Sequence, residues 1–196
     1  IANNSTESLI EGDFSAKTVN INGALTVNGA AVGGGAMELI STTTVSSSVS
    51  SVEFTGLSGY DSYRLIGGAI TTSANALFKI TLSENNTYLT SYPFHRTSYL
   101  SSSTTEGKSS GALSYINPGY LYAGYTGAIT LTIYGGESSS DKYFITDGIT
   151  KNATATTAYS VYGSTANSTA PLDKIKFFLN SGTINSGTFS LYGIKS

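Results

Sequence analysis

Cysteine and tryptophan are absent from this 196-residue chain, histidine and methionine occur once each, and proline only three times. Without cysteine there is neither a disulfide framework nor a thiolate metal site, so stability has to come from packing and strand pairing. A single histidine excludes a histidine-rich metal centre. Charged residues make up 11% of the chain, against about 25% in ordinary soluble domains. The formal net charge is −2. That balance lacks the basic stripe on which nucleic-acid binding depends, and excludes a nucleic-acid partner. No stretch approaches the roughly 20 apolar residues of a spanning helix, so no membrane insertion is expected. The opening Ile1-Ala2-Asn3-Asn4-Ser5 has no signal-peptide pattern, and a first residue of isoleucine points to a processed chain or a piece of something longer.

Hydroxyls, glycine and tyrosine fill the space. Serine and threonine together make up roughly three residues in ten, with 22 glycines and 14 tyrosines. This is the makeup of an extracellular or virion β protein, solubilised by hydroxyls more than by charges. Asn3, Asn4, Asn85, Asn152 and Asn167 match the glycosylation sequon in form, but so Ser/Thr-rich a chain produces such matches by chance.

Residues 1–18 are polar, with scattered Leu9, Ile10 and Phe14, and read as a connector or arm. Next comes a six-residue echo, Val19-Asn-Ile-Asn-Gly-Ala24 followed by Leu25-Thr-Val-Asn-Gly-Ala30. Its Asn-Gly dipeptides tolerate positive φ. Two rungs bury no core alone, so Val19, Ile21, Leu25 and Val27 are the candidate trimerisation residues of a short stalk wound from several copies. Gly33-Gly34-Gly35 closes this stretch, 19–36, as a joint.

From Met37 the pattern changes to period two with β-branched and aromatic enrichment, punctuated by Gly, Asn and Ser. Strands are expected over 38–45, 49–57, 62–72, 76–83, 87–92, 94–100, 112–116, 121–125, 128–134, 142–146, 156–162, 175–179 and 188–194. Asn85-Asn86 reads as a hairpin turn, Pro93 as a break, and 101–110 as an exposed loop. More than ten short strands without helix signals favour an all-β antiparallel sandwich of the jelly-roll type over 37–196, preceded by the intertwined β stalk.

Several strings carry a resemblance. Val49-Ser-Ser-Val-Glu-Phe-Thr-Gly-Leu57, Tyr60-Asp-Ser-Tyr-Arg-Leu-Ile66, Ile175-Lys-Phe-Phe-Leu-Asn-Ser-Gly-Thr-Ile184 and the distinctive Ser186-Gly-Thr-Phe-Ser-Leu-Tyr-Gly-Ile194 resemble a β domain of tailed-bacteriophage virion proteins, notably tail-fibre and related appendage proteins. The stretch Thr18-Val-Asn-Ile-Asn-Gly-Ala-Leu-Thr-Val-Asn-Gly29 is similar to the short repeats that precede the heads of trimeric phage fibres. The resemblance implies a homotrimer located in the virion, joined to other virion proteins through its N-terminal segment. Its C-terminal domain would contact the host surface. A capsid decoration, cement or head-fibre role is the alternative, and a polysaccharide-degrading tailspike enzyme a second one.

The residues speak against catalysis. His95 would have to converge with a serine and an acid, and a lone strand histidine is ordinarily a surface or packing residue. Glu137, Asp141 and Asp147 do not have the spacing of a calcium loop. Glycan cleavage needs two carboxylates facing one bond, whereas the twelve acidic residues are thinly spread. The chain is expected to be no enzyme, with neither metal nor cofactor. For binding, Tyr115, Tyr120, Tyr122 and Tyr125 gather around Asn117-Pro118-Gly119, while Tyr88, Tyr92 and Tyr99 flank Phe94-His95-Arg96. A tyrosine ring stacks on a sugar face and its hydroxyl makes a polar contact at low entropy cost. Tyr115, Tyr120, Tyr122, Tyr125, His95 and Arg96 are therefore the candidate contacts to a host cell-surface glycan or protein, against a competing role in the core or between copies.

Overall fold

The computed structural model describes residues 10–13, 18–21, 26–27, 30–31, 37–100 and 103–195, with side chains over 37–97 and 113–195. The chain divides into two compact units, Ile1–Ala36 and Met37–Ser196.

In the first unit β1 (Ile10–Asp13) pairs antiparallel with β2 (Thr18–Ile21), Ile10 opposite Ile21. The two-residue strands β3 (Thr26–Val27) and β4 (Ala30–Ala31) pair likewise. Leu25, both Asn-Gly dipeptides and the glycine joint lie outside the described residues.

The second unit contains β5 (Met37–Val45), β6 (Ser51–Thr55), β7 (Ser62–Thr72), β8 (Ala76–Glu84), β9 (Thr87–Tyr88) and β10 (Tyr92–Leu100). It continues with β11 (Ser103–Leu113), β12 (Ile116–Leu121), β13 (Gly127–Tyr134), β14 (Tyr143–Lys151), β15 (Thr156–Ser164), β16 (Leu172–Leu179) and β17 (Ile184–Ile194). The described residues contain no helix. Two antiparallel sheets pack together. The larger has the order β11-β10-β15-β14-β13-β7-β17-β5, the smaller β12-β8-β16-β6, with β9 paired to β8.

Alternation explains the layers. In β13, Ile129, Leu131 and Ile133 point inward between exposed or half-buried neighbours, and β16 does the same with Ile175, Phe177 and Leu179, as a strand with one buried face requires. Phe177 is the hub between the sheets. Its ring lies 6.4 Å from Phe54, 5.8 Å from Phe78 and 5.8 Å from Phe189, the offset and edge-on spacings that aromatic quadrupoles favour.

Taking away β9–β11 and β14–β15 leaves eight strands in two rows, β5-β17-β7-β13 and β6-β16-β8-β12. The removed segments are two separate excursions of the chain, one between β8 and β12 and one between β13 and β16. They meet side by side as β14-β15-β10-β11 and double the width of the larger sheet.

Several local readings of the sequence need correction, among them the strands expected over 87–92 and 112–116, which break at 89–91 and 114–115. Residues 103–110 of the expected loop are strand: β11 runs from Ser103 and pairs with β10, because a threonine-rich backbone makes ladder bonds as readily as an apolar one when an edge is on offer. Pro93 lies inside β10. The register shifts between Tyr92 and Phe94, and this bulge absorbs the missing N–H. The strand expected at 121–125 ends at Leu121 and starts at Ile116. The Asn85-Asn86 turn forms as read, with both residues at positive φ (49° and 61°), the conformation a two-residue hairpin demands.

Candidate functional site

Strand β14 sets the site. Its inward residues are Phe144, Thr146, Gly148 and Thr150, while Tyr143, Ile145 and Ile149 face outward with Asp147. A one-residue slip would reverse this and bury the isoleucines. Three contacts fix the observed register. The Phe144 ring meets buried Tyr92 edge-on at 6.4 Å. Thr146 Oγ1 donates to the Thr130 carbonyl at 2.8 Å. At Gly148 a Cβ would come to 3.0 Å from the Pro118 carbonyl oxygen, so a larger residue would push against the backbone of β12.

The outward side chains therefore assemble on the outer face of the wide sheet. Cross-strand pairing places His95 opposite Tyr162, Tyr162 opposite Ile145, and Tyr134 opposite Tyr143. The His95 and Tyr162 rings are 5.0 Å apart. Tyr134, Tyr143, Ile145 and Tyr162 are 45%, 64%, 44% and 51% exposed. They line an open groove of about 640 Å³ together with Pro93 and Ser164. Gly163 sits at its floor, where a Cβ would collide with the Pro93 carbonyl. One step along the strands lies a polar row, in which Ser160 Oγ donates to Asp147 at 2.8 Å. An aromatic centre with a hydroxyl-bearing rim results, and none of the described side chains lining it carries a fixed charge.

Immediately before β14 lies a buried ion pair. Lys142 is fully buried and its Nζ lies 3.0 Å from Glu84 Oε1. The ammonium also donates to the carbonyls of Ser138, Ser140 and Ala170 and to Ser168 Oγ, at 2.6–2.8 Å. Glu84 accepts from the Ser168 hydroxyl and from the backbone N–H groups of Thr169 and Ala170. Burial pushes the Glu84 carboxyl up, but the bonds from Ser168, Thr169 and Lys142 outweigh it and hold the group below its ordinary value. A buried pair persists only when its remaining valences are met in this way. It ties the loops on either side of β14 and β15 and so fixes where Tyr143 enters the sheet.

The expected contacts separate. His95 faces outward into the groove, whereas its neighbour Arg96 points to the inner side, where its charge reaches the Tyr159 hydroxyl. Tyr120 and Tyr122 do come together, with ring centroids 5.0 Å apart, at the edge strand of the smaller sheet and beside Tyr159. The Tyr159 phenol is raised by burial and then by Tyr122. Tyr115 lies apart from them under the Lys79 ammonium, 3.9 Å from its ring centre. The Tyr125 N–H donates to the Tyr122 carbonyl in the following turn. All four are half-buried. The acidic residues considered for a metal are each engaged elsewhere: Glu137 accepts from the Gly59 N–H, Asp141 from the Ser168 N–H and Asp147 from Ser160. Among the described residues no cluster of metal-ligating side chains occurs. Sequence reading missed Tyr134, Tyr143 and Tyr162. The available signal was the isoleucine–threonine alternation of β14, which leaves the choice of face open.

Compared with known proteins, the chain matches no family model, no curated protein and no solved structure.

Proposed function

We propose that this chain is a non-enzymatic structural protein of a tailed-phage virion, a homotrimeric tail fibre whose C-terminal sandwich contacts the host surface through its outer-face groove. The observation that carries this reading is the convergence of two excursions. An eight-strand sandwich stands complete without β9–β11 and β14–β15, yet these segments supply His95, Tyr143, Ile145 and Tyr162 to one place. Strands added to a finished framework that end in exposed rings are what a grafted recognition site requires. The two four-strand rows support a jelly-roll reading, since consecutive strands alternate between the sheets except from β8 to β12, which are neighbours in the smaller one, as in two nested Greek keys. Val19, Ile21, Leu25 and Val27 are proposed to bring three copies together in an N-terminal stalk, with the segment before it joining other virion proteins.

The test is direct. A gold-labelled antibody to residues 37–196, applied to purified particles, should decorate the distal ends of the tail appendages. Decoration of the shell would replace the fibre reading with a capsid decoration or head fibre. Labelling of neither would remove the virion assignment.

A further inference from the structure

We infer that the Met37 end of β5 is a contact between copies of this chain, with Met37 and Leu39 of each copy meeting those of its neighbours near a common axis; the inference rests on the trimeric reading and says where the C-terminal domains touch. The eight large apolar side chains exposed among the described residues all belong to the wide sheet. Six stand on β7 and β13–β15. The other two, Met37 and Leu39, are 47% and 54% exposed on the edge strand, with β17 and β7 between them and the groove strands. Cross-strand pairing puts Ile194 beside Met37 and Tyr192 beside Leu39, both half-buried, so these four side chains make one apolar corner of the outer face.

This corner is also where the chain enters the domain, since Met37 is the first residue of the second unit. Only residues 28–36 lie between Val27 and Met37, a span that no chain conformation stretches beyond about 35 Å. If Val19, Ile21, Leu25 and Val27 gather three copies on one axis, three such corners are confined to a small volume around it, at an effective concentration in the millimolar range. The charges at the corner permit convergence. Glu38 is paired with Lys195 at 3.7 Å, both exposed, so the copies bring together matched pairs and not bare carboxylates. Side chains, not an added strand, make the contact. The register of β17 on β5 shifts between Leu191 and Tyr192 and leaves Ile40 as an extra residue, and a bulge of this kind spoils an edge for a further strand. Two exposed side chains per copy cover much less than the roughly 1,200 Å² that a free-standing complex buries, so the contact persists only while the stalk keeps the copies together.

The lack of cysteine makes thiol cross-linking the test. Leu39→Cys is compared in the full chain with two exposed controls, Thr44→Cys at the other end of β5 and Ser181→Cys after β16. Each is treated with a short bismaleimide and sized under denaturing conditions, with sedimentation of the untreated protein alongside. Leu39→Cys should give covalent dimers at least about tenfold faster than either control, and should lose that advantage when Ile21→Asp and Val27→Asp are added. Met37→Cys should behave as Leu39→Cys does. Trimers in sedimentation without faster cross-linking at these two positions would overturn the contact and leave the trimer standing. Cross-linking that is unaffected by the stalk substitutions would overturn its dependence on tethering. A monomeric wild type would overturn the trimeric reading and the contact with it.

Discussion

The two outer faces of the sandwich use the same residue types in opposite ways. On the smaller sheet Tyr88 and Tyr115 each have charged neighbours. Tyr88 donates to Glu53 with the Lys176 ammonium 5.3 Å from its ring centre, and Lys79 covers Tyr115 at 3.9 Å. On the wide sheet, Tyr134 and Tyr143 stand exposed, and the polar contacts stop one row short of them at Asp147 and Ser160. A tyrosine whose ring and hydroxyl are matched within its own sheet stabilises the fold. One whose surroundings leave both open offers them to something else. Tyr88 and Tyr115 differ from Tyr134 and Tyr143 not in type but in having a described cation or carboxylate against the ring or hydroxyl.

The largest expected effect comes from breaking what anchors the wide face. Lys142→Met leaves Glu84 buried without its counter-ion and should cost about 3–5 kcal/mol in urea unfolding, whereas Lys142→Met combined with Glu84→Leu should recover most of it. Protonation does the same work more gently. Because the folded Glu84 carboxyl is held below its unfolded value, its contribution is complete above the ordinary carboxylate range and is lost as pH falls through the folded value. The acid limb of a stability–pH curve should accordingly flatten in Glu84→Gln.

Next in size is the layer the two faces share. Phe177→Ala empties the meeting point of four rings and should cost about 3–5 kcal/mol, with no selective effect on either face in hydrogen exchange. Tyr92 is a finer probe. Its oxygen accepts from the Leu82 N–H at 2.8 Å and its ring meets Phe144. Tyr92→Phe should cost about 1 kcal/mol at neutral pH. Burial first pushes the Tyr92 phenol up to about 12, so the wild type loses stability as pH rises from about 10, where the unfolded phenol ionises, toward the folded value. The variant should lose less over that interval.

Smallest is the effect that sharpens the contrast most. Tyr143→Ala and Tyr162→Ala should change stability by no more than about 0.5 kcal/mol, because these rings are exposed, while removing ligand binding. Equal destabilisation by Tyr143→Ala and Tyr88→Ala would erase the distinction between the faces.

Period-two patterning sufficed to place β13, β16 and β17, since Ile129, Leu131, Ile175, Phe177, Phe189 and Leu191 alternate into the core as written. It also gave the all-β class and the Asn85-Asn86 turn. It failed where a strand has two plausible faces. In β14 the isoleucines and threonines alternate, and Phe144 and Gly148, not hydrophobicity, decide which set turns inward. β11 was illegible because a Ser/Thr-rich strand borrows its pairing from β10 and shows no apolar period. The Lys142–Glu84 pair joins positions 58 residues apart, a separation at which composition and periodicity carry no signal. His95 and Arg96 are neighbours in sequence and thereby opposed in space, as alternation along a strand dictates.

Saturable binding of the full chain to host envelope fragments, wild type against Tyr143→Ala/Tyr162→Ala, tests the central claim most directly. The two-face account requires wild-type binding to saturate and the double variant to lose at least about tenfold in affinity at an unchanged unfolding midpoint. Envelope binding by the double variant equal to wild type would contradict it.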